Sequence, residues 1–148
     1  VLAEWEKHKP ADVVVRRIPA VLREGWLADA HLYYTLELLG EAERLHATVF
    51  DSVHMDNLRT NDPDAVAAWA AKNGIDTQKW RRAYTDNEVR NRVIHAMTLA
   101  RNYDVRGTPA VIVDGRYQTS SGIAGGVNYI PAVLDRLVNL AREQRKKQ

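Results

Sequence analysis

The 148-residue chain contains no cysteine. It can therefore close no disulfide, offer no thiolate nucleophile and build no metal site from cysteine ligands. A chain without thiols is also indifferent to the redox poise of its compartment. Long apolar runs are missing too, for none approaches the roughly 18 residues that a membrane-crossing helix requires. The amino end, Val1-Leu2-Ala3-Glu4-Trp5-Glu6-Lys7-His8, lacks the basic stretch and apolar core of a secretory signal. Nor is there a charge excess of one sign across the chain. The net charge is +2, but residues 141–148 hold +3 of it and residues 1–140 hold −1. A nucleic-acid reader presents a basic face over its fold. Here the cations Arg142, Arg145, Lys146 and Lys147 end a helix, where they meet the negative end of its macrodipole. No internal repeat, low-complexity tract or linker divides the chain.

What is present reads as one domain, long enough to bury about two-thirds of its unfolded surface. Asp12 to Ile18 predicts a strand, with Val13-Val14-Val15 suited to burial on both faces and Pro19 ending it. The period then becomes helical. Leu27, Ala30, Tyr34 and Leu38 fall on one stripe, widened by Leu32, Leu36 and Leu39, so this helix is covered on more than one side before Gly40 stops it. Leu45, Val49, Phe50 and Val53 mark a second helix that ends before Asp56-Asn57. A third opens with Asp62 as N-cap and Pro63 at the first helical position, turns Val66, Trp69 and Ala70 inward, and closes at Asn73-Gly74. Asp76 caps a short fourth helix carrying Trp80 and Tyr84. Thr85-Asp86-Asn87-Glu88 has the form of a capping box, and Val89, Val93, Ala96, Ala100 and Tyr103 continue its helix. Asn128 is the expected cap of the last helix, whose Val133, Leu134, Leu137, Val138 and Ala141 face a sheet.

Several chemistries find no support in the pattern. The histidines His8, His31, His46, His54 and His95 lack the i,i+4 pairing of a helical zinc site and read as surface or half-buried residues. Gly122-Ile123-Ala124-Gly125-Gly126 lacks the Lys-Ser/Thr of a phosphate loop and reads as a flexible connection and helix lead-in. Ser120 and Ser121 have no acid or base placed to activate them. Asp51, Asp56, Asp62 and Asp64 are better explained by capping and solvation than by acid–base work. The tryptophans Trp5, Trp26, Trp69 and Trp80 sit on helical stripes and read as core rather than groove.

One stretch stands apart, Val105-Arg106-Gly107-Thr108-Pro109-Ala110-Val111-Ile112-Val113-Asp114-Gly115-Arg116-Tyr117. Pro109 has no backbone N–H, so it marks the first residue of a strand, and Val111-Ile112-Val113 suits a pleated, buried surface. Asp114-Gly115 favours a two-residue type I′ turn that returns the chain antiparallel. The residues alone favour a trans bond before Pro109, since only about 5–6% of X–Pro bonds in folded proteins are cis.

Gly107-Thr108-Pro109-Ala110, the hairpin after it, the glycine-rich connection and the closing helix from Tyr129 together resemble the DsbA family of bacterial periplasmic thiol–disulfide oxidoreductases. The resemblance runs nearly the whole chain. It implies an α/β, thioredoxin-like fold of DsbA type, with a cis proline at Pro109. Residues 1–19 and 105–148 would form the thioredoxin-like portion, and residues 20–104 a helical insertion with a long connecting helix. Val1 to His8 is similar to the later turns of the helix that in this family begins with the redox Cys-x-x-Cys. That pair would precede Val1 by about two helical turns, roughly seven residues. The expectation is a chain lacking the first strands and the redox cysteines, with a gap at the centre of its sheet. An upstream segment, a second chain, or exchange between two copies in a strand-swapped dimer would fill that gap; the upstream segment is favoured because the helix at Val1 starts without a capping residue.

The resemblance further implies formation of disulfides in exported proteins, a periplasmic location, extended substrate polypeptides and a membrane reoxidising partner. It implies no cofactor, metal, nucleic acid or membrane insertion. No catalytic residue is present to name, because thiol exchange needs a thiolate. The substrate-binding residues implied are Gly107, Thr108 and Pro109: the backbone of Thr108 pairs with an extended peptide, its hydroxyl tunes the nearby thiolate of the complete protein, and Gly107 permits a sharp backbone approach. Two alternatives stay open on the same scaffold, a redox-inactive peptide-binding module and a helical assembly module.

Overall fold

The computed structural model describes all 148 residues. Eight helices and one hairpin follow in the order α1 (Leu2–His8), α2 (Leu27–Leu38), α3 (Ala42–His54), α4 (Pro63–Lys72), α5 (Thr77–Tyr84), α6 (Asn87–Asn102), β1 (Ala110–Val113), β2 (Tyr117–Ser120), α7 (Ser121–Ala124) and α8 (Ile130–Lys146). The chain divides into two compact units, Val1–Ile18 with Arg101–Gln148, and Pro19–Ala100.

The unit Pro19–Ala100 is wholly helical, with the core split by α2. Leu32 and Leu36 of α2 pack with Leu45, Val66, Trp69, Ala70, Ile75 and Trp80. Ala30 and Tyr34, on another side of the same helix, pack with Val21, Val89, Val93 and Ala96. This is the two-sided coverage that the widened apolar stripe predicts, although Leu38 ends on the surface and Phe50 of α3 is 54% exposed. Caps set the helix boundaries. The Asp62 carboxylate accepts from the N–H groups of Asp64 and Ala65 with Pro63 in the first turn, and Asp76 accepts from Lys79. The expected Thr85 capping box is displaced by one residue. Asp86 accepts from the Glu88 N–H at 2.8 Å, while the Thr85 hydroxyl donates back to the Arg81 carbonyl and closes α5. Two helices that meet end to end leave one residue for each boundary, and the carboxylate, the stronger acceptor, takes the start. Arg92 of α6 then bridges Glu88 and Glu37 of α2 at 2.9 and 2.5 Å.

The unit Val1–Ile18 with Arg101–Gln148 is built on a two-stranded antiparallel sheet with Ala110 opposite Ser120 and Val113 opposite Tyr117. Asp114 and Gly115 both adopt positive φ, 55° and 67°, as a type I′ turn requires, and the Arg116 N–H closes onto the Val113 carbonyl. The register makes the connection three residues rather than two, with Arg116 as the extra one. Helix α8 lies against both strands and against α1. Its buried stripe is Ile130, Leu134, Val138 and Ala141. Asn128 does not cap it: residues Val127–Tyr129 form a 3-10 turn that runs straight into α8, with Pro131 in the first helical turn. A preceding turn already supplies carbonyls to the first amides, so no side-chain cap is needed.

The strand expected at Asp12–Ile18 is absent. Residues 13–20 are irregular, and Val14 is 78% exposed. A strand exists only where a neighbour accepts from its N–H groups and donates to its C=O groups, and β1 and β2 pair only with each other. Side chains fix this segment instead. The Arg142 guanidinium of α8 forks onto Asp12, with contacts of 3.0 and 2.5 Å, and Arg17 reaches Glu6 of α1 at 2.6 Å. Trp5 Nε1–H donates to Asp135 of α8 at 2.9 Å, and Arg145 clasps Asp114 at the hairpin tip.

Two outcomes follow from these contacts. Buried Trp69 donates its indole N–H to buried Ser52 at 2.9 Å, so Ser52→Ala strands that donor and lowers unfolding stability by about 1–3 kcal/mol in urea titrations; an unchanged midpoint contradicts the assignment. The hydrogen bonds from Arg142 and Arg145 hold the Asp12 and Asp114 carboxyls below their ordinary range. Depressed carboxylates contribute stability that is complete above the unfolded pKa and is lost as pH falls through the lower folded value. Thermal melting between about pH 5 and about pH 2 therefore falls less in an R142Q/R145Q variant than in the parent chain, with both exposed pairs weakened by salt.

Candidate functional site

The hairpin unit carries an open cleft of about 460 Å³ at the end of the sheet where β1 begins and β2 ends. One wall is the segment from Asp104 to Ala110, and the other is Gln118 with the turn Ser120 to Ile123. The Ala110–Ser120 pairing joins the two walls at their base.

The first wall begins where α6 stops. Asp104 takes a left-handed conformation with φ of 48°, which Asp tolerates better than most residues, and its N–H bonds the Arg101 carbonyl at 3.0 Å. The chain then runs through Arg106 and Gly107 to the Thr108–Pro109 peptide bond, which is cis. Pro109 stands immediately before β1 rather than within it, so its missing N–H leaves no hole in the ladder. Gly107 leaves open room beside this turn of the chain. Its φ is not positive, and a Cβ built there meets nothing within 4 Å. The second wall is ordered by Ser120, which ends β2 and accepts the Ile123 N–H at 3.3 Å as the cap of α7. The stretch Gly122 to Gly126 thus holds most of the capped helical turn α7 and leads into the 3-10 turn before α8, the helix lead-in that was expected. Gly126 is fixed at φ 148°, and a Cβ there would come within 3.3 Å of the Tyr129 ring.

The cleft's chemistry is that of recognition. Its only full charges are Asp104 and Arg106, and they face each other: Nε and an Nη of Arg106 both donate to Asp104 Oδ2, at 3.0 and 2.7 Å. The guanidinium holds the carboxyl below the usual carboxylate range, so Asp104 is a poor base. Thr108, Ser120 and Ser121 supply hydroxyls, but no histidine lines the cleft to activate one. No group of three potential ligands could hold a metal ion. None of the histidines or tryptophans singled out in the sequence lines it. His31 donates to the Tyr84 carbonyl at 2.7 Å, Trp69 and Trp80 are buried in the helical unit, and burial pushes the Tyr34 hydroxyl up to about 12.

Gly107, Thr108 and Pro109 all line the cleft. Sequence reasoning did not attach Asp104, Arg106, Gln118 or Ile123 to them, and weighed Ser120 and Ser121 only as nucleophiles. The available signal was local: an acidic residue two positions before an arginine, at a helix end, directly ahead of the proline loop.

Comparison with known proteins agrees with this architecture. The DSBA-like thioredoxin domain family matches residues 3–137. The thiol:disulfide interchange protein DsbA of Bordetella pertussis is 37% identical over 145 residues, covering 97% of this chain and 68% of the relative. That of Azotobacter vinelandii is 33% identical over 138 residues, covering 93% and 64%. The chain thus spans about two-thirds of the length of these relatives. The crystal structure of Pseudomonas aeruginosa DsbA superposes with a TM-score of 0.89 at 29% identity, over 98% of this chain and 76% of that one. The fold is therefore the DsbA-type thioredoxin-like fold, mostly helical with a small sheet. From a match that takes in the proline loop, the hairpin and the helices on both sides of them, it follows that the chain belongs to the DsbA-like family of thiol:disulfide interchange proteins.

Proposed function

We propose that these residues are the substrate-facing part of a DsbA-like thiol–disulfide oxidoreductase that forms disulfides in exported proteins of the periplasm. The observation that carries this reading is the placement of Thr108 and Pro109 at the entry to β1, on the wall of an open cleft. Strand β1 pairs with β2 along one edge only. An extended polypeptide laid beside Thr108 can exchange main-chain hydrogen bonds there while its side chains reach the cleft, a mode of recognition that accepts many sequences. Gly107 adds no side chain that would obstruct such a segment. The two compact units support treating residues 1–148 as one DsbA-like domain with a thioredoxin-like portion and a helical insertion.

Disulfide transfer needs a thiolate to attack sulfur, and the chain holds no cysteine. On this reading the exchange pair comes from outside these 148 residues, the chain by itself is not redox-competent, and reoxidation falls to a separate membrane partner. The free edge of β1 is also where a further strand would pair, from another segment or a second copy. The complete lack of thiols favours a second reading in which the same cleft binds peptides without chemistry.

Oxidation of a peptide dithiol separates the two readings. The 148-residue chain leaves the uncatalysed rate unchanged, whereas the chain joined to an upstream segment bearing Cys-x-x-Cys accelerates it at least tenfold. Peptide binding by the joined protein with no acceleration establishes the redox-inactive reading instead.

A further inference from the structure

The cleft holds one cation, Arg106, and its side chain is 84% exposed. Both of its bonds to protein run to a single oxygen, Asp104 Oδ2, through Nε and one Nη. A guanidinium has five N–H groups in a rigid plane, so its remaining edge, Nη1 with the outer N–H of Nη2, can take a second carboxylate end-on. The space for one exists. Arg106 is separated from Thr108 only by Gly107, where a built Cβ meets nothing within 4 Å, and all three line the same open cleft. The opposite wall offers neutral groups that donate readily to a carboxylate, the Gln118 amide and the Ser121 hydroxyl. Asp104 is the competing anion. Its left-handed backbone, with φ of 48°, holds its carboxylate next to Arg106, and one of its oxygens already carries both contacts.

Building on the peptide-binding reading, we infer that Arg106 is a specificity-determining residue of the cleft: it selects extended segments that carry an Asp or Glu beside the residue paired with Thr108, and Asp104 restrains that selection by competing for the same guanidinium. A lysine at that position of the peptide meets the like charge of Arg106 and is disfavoured. Exposed pairs of this kind are modest in strength and screened by salt, so the selection is one of preference among substrates.

The test is an NMR titration of the ¹⁵N-labelled 148-residue chain with three seven-residue peptides that differ only in a central Asp, Asn or Lys. Amide shifts of Thr108, Ala110 and Ser121 report binding at the cleft. The Asp peptide is expected to bind about two- to fivefold more tightly than the Asn peptide, and the Lys peptide more weakly than either. The Asp-to-Asn ratio is expected to fall to about one in R106Q, to widen in D104N and to shrink as sodium chloride is added. Shifts at Thr108 with equal affinity for the Asp and Asn peptides, in both the parent chain and D104N, overturn the role of Arg106 and leave the peptide-binding reading standing. A preference for the Lys peptide does the same. The absence of shifts at Thr108 with every peptide overturns the peptide-binding reading and this inference with it.

Discussion

Burial of one stripe of α8, Ile130, Leu134, Val138 and Ala141, against a two-stranded hairpin is the interaction on which the candidate site rests. An isolated hairpin is at best marginal in water, because two strands bury too little apolar surface to offset the ordering of their backbone. The four-residue strands here are short even by that measure. What holds them is the helix across their face. Spacing of four, four and three residues keeps the α8 stripe on one side through three turns, so that a single helix covers both strands. The cleft inherits its geometry from that arrangement, since its two walls are continuous with β1 and β2.

Around this apolar contact, polar side chains fix elements that have no ladder of their own. Arg142 ties the irregular segment after α1 through Asp12, Arg145 ties the hairpin tip through Asp114, and Trp5 ties α1 through Asp135. Each is exposed and individually weak. Their effect is positional: they set where the chain runs over a surface that hydrophobic burial alone would leave unspecified. The same economy appears in the cleft, where Asp104 both turns the chain out of α6 and orients Arg106.

Where local chemistry decides, reading the chain residue by residue succeeds. Asp62 and Asp76 cap helices because a carboxylate reaches an N–H two or three positions on, a distance fixed by the backbone itself. Asp114-Gly115 turns the chain because both residues accept positive φ. The errors share one origin. Val13 to Ile18 has the composition of a strand but no neighbouring strand to pair with, and β-propensity expresses fit to a neighbouring surface rather than an intrinsic backbone state. Thr85 has the form of a cap, yet it is already engaged by the preceding helix.

The sequence by itself determined the helix order, the proline hairpin and the absence of thiol chemistry within these residues, because caps, turns and side-chain reactivity depend on groups a few bonds apart. It also carried the resemblance that the fold and the relatives bear out. Only the tertiary structure decided that residues 13–20 join no strand, that Arg142 and Arg145 close on Asp12 and Asp114, and that Asp104, Arg106, Gln118 and Ile123 join Thr108 and Pro109 around one cleft. Those outcomes join residues as many as 130 positions apart, and such encounters are set by which surfaces pack, a property that no short stretch of the chain contains.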